Sequence, residues 1–146
     1  MIQYTTAQAA YSDILNHLET CKNNFIPPLQ ETVDISSYSQ KINSKSVTFE
    51  AWQGGHLIGL IAAYFNDPGN EFGFITSVSV EEKFAGKGIA TGLLNNVIQY
   101  ALANKFSEIR LKVHSRNSNA INLYEKHKFI KYGTEENFQL YRLLVN

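Results

Sequence analysis

Cysteine is almost absent: Cys21 stands alone, so no disulfide can close within the chain and nothing points to an oxidising compartment. Charge is scarce and balanced, with thirteen Lys and Arg against thirteen Asp and Glu and 18% charged residues in all. That is too little for a solvated disordered tail, and it leaves no net field to gather polyanions or an anionic membrane. Neither nucleic acid nor membrane is expected as a partner. Long hydrophobic runs are also missing. The longest, Leu57 to Phe65, is far short of the ~20 residues of a membrane-spanning helix. Met1-Ile2-Gln3-Tyr4-Thr5-Thr6 lacks the basic and apolar regions of a signal peptide, so the cytosol is the expected location. Only three prolines occur, two of them adjacent at Pro27-Pro28. What is present suffices for a core without disulfide or metal: 146 residues, 44% apolar and 12% aromatic, predict one domain over 1–146.

The hydrophobic spacing changes along the chain. Ala10, Ile14 and Leu18 repeat every four residues and predict a first helix from Ala9 to Leu18, with Thr5 or Thr6 as its cap. Phe25-Ile26-Pro27-Pro28-Leu29 then excludes helix and central strand, because two prolines remove two donors. A short polar helix is predicted from Ser36 to Asn43, capped by Ser36 or Ser37. Beyond it the period falls to two. Val47, Phe49 and Ala51 alternate with polar residues, Gln53-Gly54-Gly55-His56 turns, and Leu57 to Phe65 returns as a nearly all-apolar strand. Asn66-Asp67-Pro68-Gly69-Asn70 turns again into a strand over Phe72 to Val80. A strong helix begins at Ile89, where Ile89, Leu93, Val97 and Ala101 form one row. Ile109 to His114 reads as a strand, Asn117 to Lys128 as a helix, and Phe129 to Tyr132 and Phe138 to Val145 as closing strands. The class is α/β or α+β.

One segment carries chemistry: Val78-Ser79-Val80-Glu81-Glu82-Lys83-Phe84-Ala85-Gly86-Lys87-Gly88-Ile89-Ala90-Thr91. A strand runs through a glycine loop into a helix, so unpaired N–H groups at the helix start face whatever fills the loop, and the helix dipole adds attraction for an anion. Lys83 and Lys87 add charge. Two common phosphate motifs fail on spacing. The dinucleotide fingerprint needs a third glycine where Thr91 stands, and the P-loop needs Ser or Thr where Gly88 follows Lys87.

The segment resembles the acetyl-coenzyme A (acetyl-CoA) signature of the GNAT family of N-acetyltransferases, Gln/Arg-x-x-Gly-x-Gly/Ala. Gly88 and Ala90 match it, and Ala85 stands where the family has Arg or Gln. A second stretch, Asn117-Ser118-Asn119-Ala120-Ile121-Asn122-Leu123-Tyr124-Glu125-Lys126-His127-Lys128-Phe129, is similar to that family's Asn-x-x-Ala-x-x-Leu-Tyr-x-x-x-Gly-Phe, with Lys128 replacing the glycine. The resemblance implies a central, mixed, mostly antiparallel sheet of about six or seven strands flanked by about four helices. It implies acetyl-CoA as co-substrate, no metal, and an amine acceptor, and it leaves room for a homodimer. The cofactor contacts it implies fall on Val78, Ser79, Val80, Lys83, Ala85, Gly86, Lys87, Gly88, Ile89, Ala90, Thr91, Asn117, Asn119 and Tyr124.

Acetyl transfer needs three groups: one to take a proton from the amine, one to stabilise the developing oxyanion, and one to reprotonate the thiolate. Tyr124 resembles the family's acid, since a phenol with pKa near ~10 can protonate a thiolate with pKa about 8.5. The backbone N–H of Val78 is the oxyanion donor if the fourth strand carries a bulge. His114, on one face of its strand with Arg110 and Lys112, is the leading base. Glu50, Glu71 and a water relay are the alternatives. The Phe25 to Leu29 loop is the expected acceptor wall. A neutral surface points to a small-molecule amine such as an amino sugar, amino acid or polyamine, or to a protein N-terminus. A silent acetyl-CoA-binding module and an O-acyltransferase stay open beside this reading.

Overall fold

The computed structural model describes residues 1–145; Asn146, the last residue of the expected domain, lies outside the described residues. In chain order the elements are β1 (Gln3–Thr6), α1 (Tyr11–Cys21), α2 (Ile35–Lys45), β2 (Val47–Gln53), β3 (His56–Tyr64) and β4 (Phe72–Val80). There follow α3 (Ile89–Ala103), β5 (Glu108–His114), α4 (Ser118–Lys126), β6 (Ile130–Glu135) and β7 (Phe138–Leu144). The seven strands form one sheet in the order β1-β2-β3-β4-β5-β7-β6. Only β4 and β5 run parallel; the other neighbours are antiparallel. This is the mixed, mostly antiparallel sheet with four helices that the sequence predicted.

The sheet is covered on both faces, which is why β3 is apolar at almost every position. Ile61 and Ala63 pack with Leu93, Leu94 and Val97 of α3 on one side. Leu60 and Ala62 pack with Ile14 and Leu18 of α1 and Ile42 of α2 on the other. A strand buried on both faces cannot alternate, so its period-two signal is lost. Gly59 on β3 lets the start of α3 approach closely, because a Cβ there would sit 2.9 Å from Ile89 Cγ2. Among the described residues no helix is long and apolar enough to cross a membrane.

Three local expectations are corrected. Residues 3–6 form β1 against β2, so Thr5 and Thr6 lie in a strand instead of capping α1. The cap is Ala10, whose N–H donates to the Asp13 carboxylate at 2.9 Å. Asp34, two residues before the first of the predicted serines, caps α2 by accepting from both the N–H and the hydroxyl of Ser37. Strand β6 runs on through Gly133 to Glu135, past its predicted end at Tyr132. Lys128, in place of the family's glycine, does adopt the left-handed conformation, with φ of 74°.

Candidate active site

The site lies where β4 and β5 part. Their parallel ladder runs from Phe72↔Glu108 to Ile75↔Leu111 and stops there, although β4 continues to Val80 and β5 to His114. On its other edge β4 carries a bulge: Ala62 faces Ser77 and Ala63 faces Ile75, leaving Thr76 unpaired. The extra residue increases the local twist and turns the end of β4 away from β5. Past the bulge, the N–H of Glu81 donates to the Ile58 carbonyl at 2.9 Å. Antiparallel pairing alternates hydrogen-bonded and non-bonded pairs, so Ser79 opposite Leu60 is bonded to β3 while Val78 and Val80 are not. The N–H and C=O groups of Val78 and Val80 therefore point into the gap. The strand that would have paired them has left.

The gap opens into a cleft of about 1040 Å³. At one end Gly86 and Gly88 both have φ of 77°, and a Cβ at either would meet nothing within 4 Å. Only glycine holds this left-handed conformation cheaply, and the space in front of both is free. Gly88 caps α3, and the first bond inside that helix is Gly92 N–H to the Gly88 carbonyl. The amides of Ile89, Ala90 and Thr91 are thus the orphan donors of the helix start, and all three residues line the cleft together with Ala85. This is a fitting cradle for a pyrophosphate. Lys83 and Lys87 sit outside the cleft wall, exposed, with their ammonium groups 5.5 and 5.8 Å from the Phe84 ring. They contribute charge at the rim.

Tyr124 projects from α4 into the cleft and is only 5% exposed. Burial pushes its phenol well above the ordinary value, so it stays protonated across the neutral range. Its ring packs on Phe129 at 5.7 Å between centroids. Asn117 caps α4 by accepting from the Ala120 N–H at 3.3 Å and, with Asn119, also faces the cleft.

The expected base sits differently. His114 lines the cleft, but its Nδ1 accepts the Arg116 N–H at 3.1 Å. The neutral ring therefore carries its proton on Nε2 and presents a donor, so accepting a proton would break the Arg116 bond. Glu50 does not reach the cleft. It is fully buried away from the cleft and accepts from the hydroxyls of Thr5 and Thr48 and the N–H groups of Gln8 and Ala9. Its work is to fasten the entry of α1 to β2. Glu71 lies exposed in the loop before β4, outside the cleft wall.

Tyr38, in the cleft wall, and His17, behind it, carried no sequence signal. From α2, the Tyr38 hydroxyl donates to the Thr76 carbonyl at 2.8 Å, across the bulge, and burial raises its pKa. Ser79 Oγ lies 2.9 Å from Nε2 of His17, a buried residue of α1 whose Nδ1 is 3.2 Å from the Leu57 carbonyl. The loop before α2 contributes Phe25, Ile26, Pro27 and Leu29 to the cleft, as the sequence suggested. Cys21 is buried, and desolvation pushes its thiol up to about 12.

A family model described as the acetyltransferase (GNAT) family matches residues 11–129. The chain is similar to an N-acetylaspartate synthetase of Xenopus tropicalis, 32% identical over 123 residues that make up 84% of this chain and 42% of that protein. It spans about two fifths of the length of the curated relatives it matches. Among solved structures it resembles the paia N-acetyltransferase of Thermoplasma acidophilum in complex with coenzyme A, with a TM-score of 0.78 at 17% identity over 99% of each chain. A GNAT-family acetyltransferase structure from Desulfovibrio desulfuricans gives a TM-score of 0.82 at 11% identity over 100% of each chain. At these identities the two structures speak for the fold.

Proposed function

The chain belongs to the GNAT acetyltransferase family, and we propose that it passes the acetyl group of acetyl-CoA directly to the primary amine of a small molecule within a ternary complex. The observation that carries this reading is the meeting, in one cleft, of the glycine-started helix, the unpaired edge of β4 and the Tyr124 phenol. In this reading the amides of Ile89, Ala90 and Thr91 hold the pyrophosphate, with the N-terminal end of α3 supplying a favourable dipole. The edge of β4 at Val80 pairs with the pantetheine arm. The Val78 N–H stabilises the oxyanion that forms on the thioester carbonyl, and Tyr124 protonates the departing thiolate. No nucleophile is needed, so no acetylated protein intermediate forms. We place the reaction in a single cytosolic domain.

For the acceptor, the wall built by Phe25 and Pro27 favours an apolar stem beside the amine, and Lys112, which also lines the cleft with its ammonium 3.7 Å from the Glu135 carboxylate, offers a cation that an acceptor carboxylate could share. Together with the relatives named as N-acetylaspartate synthetases, this makes an amino acid the first acceptor to try. Mass spectrometry of products formed with acetyl-CoA from L-aspartate, glucosamine 6-phosphate, spermidine and a short peptide with a free N-terminus tests the reading. An N-acetylated product from one of them is the expected result. Binding of acetyl-CoA without transfer to any amine would make the chain a silent binding module, and an ester product would make it an O-acyltransferase.

A further inference from the structure

We propose that Ser79 and His17 form a proton relay that takes the proton released by the attacking amine. The inference rests on the acetyl-transfer reading above and supplies the base that the family motifs did not locate.

Ser79 lines the cleft one residue beyond the Val78 amide. Its neighbour His17 lies behind it, 1% exposed and closed off from the cleft. Each ring nitrogen of His17 has an oxygen partner of its own, and Cys21 Sγ lies 4.0 Å from Nδ1 and 3.7 Å from Nε2. A carbonyl can only accept, so the contact with Leu57 O at 3.2 Å fixes the ring proton on Nδ1. Nε2 is left with its lone pair, and the Ser79 hydroxyl 2.9 Å away donates to it. This is the arrangement a hydroxyl needs in order to hand on a proton: a base in hydrogen-bond reach and a third group fixing the base's tautomer. His114 has the opposite arrangement, with its Nδ1 occupied by an N–H donor.

The surroundings suit a transient imidazolium. Glu81, at the end of β4, adds a negative charge that favours protonated His17, and its own carboxylate is held by His56 Nε2 at 2.6 Å. His56 on β3 opposes that effect. Cys21, one turn further along α1, approaches Nε2 to 3.7 Å and stays a neutral thiol. Burial keeps His17 neutral at rest, the state a proton acceptor must hold before the reaction.

The step balances. As the amine nitrogen bonds to the thioester carbonyl carbon, one N–H bond breaks and its proton moves to Ser79 Oγ while the proton of Ser79 moves to His17 Nε2. The C–S bond breaks with its electron pair on sulfur, and the sulfur takes the Tyr124 proton. After the product leaves, His17 Nε2 returns a proton through the Ser79 hydroxyl to water entering the cleft, and Tyr124 regains one from the same water. Ser79 touches the acceptor, and His17 acts through it.

The test combines two readouts. Nitrogen-15 NMR of the intact protein should show His17 protonated on Nδ1 and bare on Nε2; a proton on Nε2 would overturn the relay whether or not an acceptor is in hand. Pre-steady-state rates with the best acceptor of the amine panel form the second readout. Ser79→Ala should slow transfer by ~10²-fold with acetyl-CoA affinity unchanged, and Ser79→Thr, which keeps a hydroxyl, should restore most of the rate. His17→Gln should remove the acidic limb of the kcat/KM profile, which in the wild type lies below the ordinary histidine pKa of 6.5. A purely structural link between α1 and β4 would lower melting temperature in both variants and leave the limb in place, and that result would refute the relay alone. Failure of the wild type to acetylate any amine would refute the transfer reading and the relay together.

Discussion

Replacing Gly88 with valine separates the cradle from the scaffold. Gly88 has φ of 77° and ψ of 11°, a left-handed conformation that costs a non-glycine residue roughly 1–2 kcal/mol. No protein atom lies within 4 Å of the position its Cβ would take, so no steric loss is added and the variant should fold with that penalty alone. Gly55, in the turn between β2 and β3, has φ of 76° and equally free space but lies outside the cleft, so Gly55→Val measures the backbone penalty by itself. The isopropyl group at residue 88 would stand in front of the amides that start α3. Hydrogen bonds to a charged group are worth about 1.5–3 kcal/mol each, and losing two weakens binding by about 3–6 kcal/mol, or roughly 10²- to 10⁴-fold. Calorimetric titration with acetyl-CoA, alongside denaturant melts, reads both effects. Gly88→Val and Gly55→Val should lose similar stability, and only Gly88→Val should lose binding. Wild-type affinity in Gly88→Val would show that the pyrophosphate is held elsewhere.

Three further outcomes follow from the same geometry. Cys21→Ser should retain acetyl transfer and the native enzyme should resist thiol reagents, because the buried thiol, pushed up to about 12, supplies no thiolate; inactivation by iodoacetamide in step with labelling of Cys21 would contradict direct transfer. His17 has its pKa lowered in the fold from 6.5, so below that value the unfolded chain binds a proton that the folded one refuses. Stability should therefore fall as pH drops below about 6.5, and chemical denaturation should show a flatter dependence in His17→Gln. Leu93→Ala, at a fully buried site where α3 meets β3, should cost about 2–5 kcal/mol in denaturant melts, and a loss under about 1 kcal/mol would mean that α3 repacks onto the sheet.

The parts legible in the sequence are those set by local rules. Strand β2 and helix α3 announced themselves by period, β3 and β4 by the turn residues that bound them, and the glycine loop by its place between strand and helix. Strand β1 escaped because four residues are too few to show a period, and its pairing with β2 is a tertiary fact. Threonine caps helices, so Thr5 beside the start of α1 reads as a cap; its hydroxyl instead donates to Glu50, forty-five residues away. The bulge at Thr76 depends on how Ala62 and Ala63 fall opposite Ser77 and Ile75, which composition does not reveal. His17 and Ser79 lie sixty-two positions apart, and no spacing rule joins them. Tyr124, by contrast, was legible through the motif around it, though the burial that raises its phenol pKa was not.

The transfer reaction itself is tested most directly at that phenol. Tyr124→Phe removes one oxygen and keeps the ring on Phe129, so acetyl-CoA affinity and melting temperature should stay at wild-type values. If the hydroxyl protonates the leaving thiolate, the single-turnover rate constant for acetyl transfer should fall by ~10²-fold, equivalent to about 2.7 kcal/mol in the barrier. An unchanged single-turnover rate constant in Tyr124→Phe would remove the residue from the mechanism and leave the cleft without its acid.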